Sequence, residues 1–61
     1  MSVFTDMGKH AALAMNKSPH DKLGYTQERE ACYRAIQLLP DDDKLQARQE
    51  FDNAYRQFRS K

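Results

Sequence analysis

Apolar positions recur along this chain at helical spacing and never in strand-like alternation. At 100° per residue, Val3, Phe4, Met7, Ala11, Ala14 and Met15 fall within an arc of about 120°. The pattern predicts a first helix over 3–16, with Ser2 placed to cap its free amides and Pro19 turning the chain away after Asn16. Gly8 lies at the edge of that stripe, where it either weakens the helix or admits another backbone. Residues 17–25 read as a loop bracketed by Pro19 and Gly24, with Leu23 and Tyr25 expected to tuck inward. A second helix is predicted over 27–39, capped by Thr26, with Glu28 and Glu30 in its first turn. Its apolar side is formed by Ala31, Cys32, Ala35, Ile36, Leu38 and Leu39, and Glu30 stands four residues before Arg34. Pro40 ends it. A third helix, predicted over 42–59, opens on Asp41, Asp42 and Asp43, which suit the positive end of the helix dipole. It carries Ala47, Phe51, Ala54, Tyr55 and Phe58 on an arc of about 100°. The short junction between the second and third helices implies an αα-hairpin or a helical corner.

The expected fold is therefore all-α: three short helices in one small domain spanning residues 1–61. Composition supports this, since Val3 and Ile36 are the only apolar β-branched residues and Trp is absent. It also limits the core. Apolar residues make up 39% of the chain, but seven of them are alanine. A single core in so short a chain supplies only about 3–5 kcal/mol, so such folds often rely on a staple or a partner. Cys32, the single cysteine, has no internal partner for a disulfide. No apolar run approaches the ~18 residues of a membrane span, and no leader pattern opens the chain, so a cytoplasmic location is expected.

Candidate chemistry is sparse. His10 has only Asp6 at a helical ligand spacing, an arrangement better suited to a surface ion pair than to a metal site. His20 adjoins Asp21 in a turn-forming segment. Three consecutive aspartates do not reproduce the alternation of a calcium loop. Cys32 lies on the apolar face, where an inert buried thiol is expected. No catalytic, cofactor or metal residues are assigned, and an enzyme is not expected.

Charge is uneven although the net value is +1: residues 26–43 carry −3 and residues 44–61 carry +3. Arg48, Arg56, Arg59 and Lys61 form a candidate phosphate-binding stripe. Two features oppose it. Asp52 stands four residues from both Arg48 and Arg56, as an internal partner. The three aspartates would face phosphates at the end through which a recognition helix enters a groove. Leu13, Tyr33 and Leu45 lie off their helices' apolar faces, and Phe51, Tyr55 and Phe58 give the third helix a large aromatic load. These six residues are the candidate interface. The expected function is a non-enzymatic protein–protein interaction module, dimeric, with a shared core around Phe51, Tyr55 and Phe58. A nucleic-acid-binding regulator is the alternative.

A length near sixty residues, the compact Met1–Met15 segment and the charged hairpin around Leu38-Leu39-Pro40-Asp41 together give the chain its character. In these respects it resembles the small early-region accessory proteins of lambda-like temperate bacteriophages. The resemblance implies an all-helical regulator that acts in the host cytoplasm by binding a host protein. No motif carries functional residues across.

Overall fold

In the computed structural model, which describes residues 2–59, the chain folds into three helices: α1 Val3–Lys17, α2 Leu23–Gln37 and α3 Asp41–Phe58. There are no strands among the described residues. α1 is the central element. Its most extensive packing is against α3, then against α2, while α2 and α3 meet along the least extensive contact. The αα connection between α2 and α3 is the short turn of Leu38, Leu39 and Pro40.

Ser2 caps α1 as expected: its Oγ accepts from the Thr5 amide at 3.1 Å and its hydroxyl donates to Glu50 Oε2 at 2.5 Å. One side chain thus satisfies a free helix amide and ties the start of α1 to α3. The start of α2 differs from the sequence expectation. The helix begins at Leu23 rather than at residue 27, and the loop shrinks to residues 18–22. Asp21 Oδ1 accepts from the Leu23 amide at 3.0 Å, an Asx turn that launches the helix earlier than the Thr26 signal suggested. Thr26 is already helical, its amide bonding the Lys22 carbonyl at 2.8 Å. Glu28 and Glu30 therefore lie beyond the first turn. Leu23 is exposed, whereas Tyr25 does pack on the core.

α2 also stops earlier, at Gln37. The amides of Leu38 and Leu39 bond the carbonyls three residues back, tightening the end into a turn. Leu39 then packs on the core, while Leu38 is 87% exposed, against expectation. Pro40 occupies the cap position of α3 in extended conformation, and its carbonyl accepts from Asp43 and Lys44. Asp41, Asp42 and Asp43 all sit in the first turn, but none caps through its side chain.

The core is thin. Ala11, Cys32, Ile36, Ala47 and Phe51 form its centre, and Phe4, Met7, Tyr25, Leu39 and Tyr55 pack around it half-buried. Val3, assigned to the buried stripe from its spacing, is exposed. Gly8 explains how α1 approaches α3 so closely. A Cβ there would collide with the Phe51 carbonyl oxygen and lie 3.0 Å from the Ala54 Cβ. Gly24 does the same for α2, where a Cβ would come within 2.8 Å of the Ala14 Cβ. Small residues at the crossings let the helices approach closely, but they remove little apolar area from water.

Candidate functional site: the groove between α2 and α3

α2 and α3 each pack more extensively on α1 than on one another, and they leave an open groove lined by their residues alone. The groove is lined by Tyr33 and Ile36 of α2 and by Asp41, Lys44, Leu45 and Arg48 of α3, around a volume of about 360 Å³. It continues toward Tyr25, Arg29, Cys32, Phe51 and Asp52. Tyr33 and Leu45, both singled out by their position off the apolar faces, thus share one surface. Leu45 is 64% exposed and Tyr33 38%.

Tyr33 is held rather than loose. Arg29, one helical turn earlier, donates to its hydroxyl from Nη2 at 3.0 Å and from Nε at 3.3 Å. The guanidinium carbon lies 5.3 Å from the ring centroid, within cation–π range. The hydrogen bond to Tyr33, with smaller contributions from the ionisable Tyr25 and Tyr33, raises the pKa of the Arg29 guanidinium, a group that is charged in any protein. Sequence reasoning passed over Arg29, although its i,i+4 spacing from Tyr33 was the available signal.

The other interface candidates separate. Phe51 is buried at the centre of the chain's own core and presents almost no surface to a partner. Tyr55 is half-buried, with its ring 5.1 Å from that of Tyr25. Phe58 sits at the far end of α3 with Lys9 Nζ 5.1 Å from its ring centroid. Leu13, on α1, is exposed and does not line the groove. The six residues do not make one patch; two of them do.

The basic stripe also resolves. Arg48 and Arg56 are exposed, and among the described residues the salt bridges expected from Asp52 do not form. The ion pairs among the described residues are Glu30–Arg34 at 3.7 Å, as expected from spacing, and Asp41–Lys44 at 3.3 Å. Arg59 Nη1 donates to Asn16 Oδ1 at 2.8 Å, and Asn16 Nδ2 donates to the Phe58 carbonyl at 2.8 Å. These bonds fasten the end of α3 to α1. Lys61 lies outside the described residues.

His10, His20 and the three aspartates are exposed. Among the described residues no three His, Cys, Asp or Glu side chains gather as metal ligands, and no helix is long and apolar enough to cross a membrane. Cys32 is buried, and burial, followed by the charge of Asp52, pushes its thiol pKa up. That is the opposite of what a reactive thiolate requires. No protein-family model matches this sequence, and neither a curated protein nor a solved structure matches it.

Proposed function

We propose that this chain is a non-enzymatic interaction module that works by burying the α2–α3 groove against another protein chain. In the setting implied by the resemblance to phage accessory proteins, it is a small regulator of a host protein. The observation that carries the reading is the pairing of a thin core with a groove holding Leu45 and Tyr33 at the surface. No large side chain among the described residues is fully buried. Apolar surface so placed is stabilised by covering it.

A photocrosslinking amino acid at position 45 tests this in the cell that makes the protein, with the exposed Asn53 position as control. Discrete protein adducts from position 45 alone are expected. Equal labelling at both positions, or none at 45, sinks the proposal. The absence of Asp52 bridges to Arg48 and Arg56 leaves both arginines available to phosphate, which favours a second, nucleic-acid reading. The acidic first turn of α3 opposes it. Under that reading the adducts at 45 would be nuclease-sensitive, and binding to duplex DNA would fall steeply with salt.

A further inference from the structure

One face of α3 carries a second pattern, which meets its buried stripe at Tyr55. Asp41, Leu45, Arg48, Asp52, Tyr55 and Arg59 follow one another at alternating steps of four and three residues. Those five steps cover eighteen residues, 3.6 per step, so the six positions form one straight stripe along a regular helix. Asp41, Leu45, Arg48 and Asp52 are exposed, and Tyr55 and Arg59 are partly so. Resting on the interaction-module reading, we propose that this stripe is the seam of an antiparallel homodimer, with Arg48 of each chain facing the partner's Asp52.

The argument is charge complementarity under a twofold axis. Such an axis sets each stripe position against the one at the opposite end, so every contact occurs twice. Placed between residues 48 and 52, it brings Arg48 against the partner's Asp52, Leu45 against the partner's Tyr55, and Asp41 against the partner's Arg59. No like charges meet and the apolar residues face each other. A parallel pairing would instead place Arg48 on Arg48 and Asp52 on Asp52, which is repulsive. The stripe holds two acidic and two basic residues, so neither an acidic nor a basic foreign partner satisfies it. Its own reverse does. The central pairs dominate, because Asp41 already bonds Lys44 and Arg59 already bonds Asn16.

Area is consistent with this occupant. A compact monomer of 7.1 kDa exposes about 4,100 Å² by the usual size scaling, whereas this chain exposes 4620 Å². The surplus of about 500 Å² falls short of the ~800 Å² each partner contributes to a standard interface. α3 pairing flanked by Tyr33 therefore makes an interface below the standard size, and area of this order does not by itself set its affinity.

Sedimentation equilibrium on the full chain tests the seam. The wild type is expected to dimerise, and Arg48→Asp or Asp52→Arg, each placing like charges in contact twice, should raise the dissociation constant roughly tenfold. Both sites are exposed, and circular dichroism should show unchanged helicity. Mixing the two single variants should regenerate a dimer with one chain of each, and the doubly exchanged chain should dimerise to within about threefold of wild type. A wild-type dimer indifferent to either reversal, or variants that fail to rescue each other, overturns the antiparallel seam. A wild type that stays monomeric at several hundred micromolar overturns the homodimer altogether. In that last case, crosslinks from position 45 to a different protein would leave the broader interaction reading standing.

Discussion

Replacing Gly8 by alanine tests the packing on which the groove depends, because local and tertiary effects predict opposite signs. In a solvent-facing helical position the change stabilises by about 1 kcal/mol, since glycine carries the greater conformational entropy cost. Here the new methyl would meet the Phe51 carbonyl oxygen well inside contact distance, with the Ala54 Cβ at 3.0 Å. A backbone oxygen within a helix cannot rotate aside as a flexible side chain can. Relief therefore requires α1 and α3 to separate by about an ångström, and overpacking of this kind costs roughly 1–3 kcal/mol. Separation also loosens the buried Ala11, Ala47 and Ala54 contacts, which places the cost at the upper end of that range. Subtracting the helix-propensity gain leaves a net loss of about 2 kcal/mol. Against the ~3–5 kcal/mol expected of so small a core, that is close to half the total stability. Urea unfolding followed at 222 nm measures it directly, and the midpoint should fall clearly. A Gly8→Ala chain as stable as the wild type, or more so, would falsify the close α1–α3 crossing.

Two smaller perturbations probe other joints of the structure. Ser2→Ala removes the cap on Thr5 and the hydroxyl that donates to Glu50. It should cost about 1 kcal/mol, with amide exchange accelerating first at Thr5 and Asp6. Cys32 should resist iodoacetamide in the native protein and react quickly in urea, since burial and then Asp52 raise its pKa. The pH dependence follows in sign. The unfolded thiol ionises near 8.5, so the associated stability is intact below that value and declines as pH rises toward the elevated folded pKa. A native alkylation rate equal to that of the unfolded chain would contradict the burial of Cys32.

The three helices and most of the core were legible because alanine, leucine and aromatic positions recur with helical period, and tertiary packing does not overrule so consistent a signal. The boundaries of α2 were less so. Asp21 and Thr26 are both good starters, and the choice between them rests on where α1 places Gly24: the glycine fits against Ala14 inside a helix, a relation invisible to local propensity. Leu38 and Leu39 differ in burial for a similar reason. The turn at the end of α2 directs only Leu39 at the core. At the candidate site, helical geometry identified Tyr33 and Leu45 as outliers. What it lacked was the position of α1, which decides that these two face a common groove while Leu13 does not. Phe51, which its spacing placed on the core arc and its aromatic ring among the interface candidates, sits in the core, because aromatic load alone does not tell an anchor for a partner from the central residue of a small core.

Packing and surface chemistry here have one origin. The crossings of α1 are made by Gly8 and Ala11 against Ala47, Phe51 and Ala54 of α3, and by Ala14 against Gly24 of α2. Contacts between such small groups specify geometry well but contribute little hydrophobic free energy per residue. The large apolar side chains that would supply more, Leu13, Leu23, Leu38 and Leu45, stand at the surface instead. A fold arranged this way is only marginally stable alone. Any partner that covers the groove binds the folded state and not the unfolded one, adding about 2.7 kcal/mol at a concentration one hundred times its dissociation constant. That increment is comparable to the core's own contribution. On the proposed interaction reading, folding and association are linked: a surface that stabilises the fold by being covered is also the surface through which a partner can report its presence.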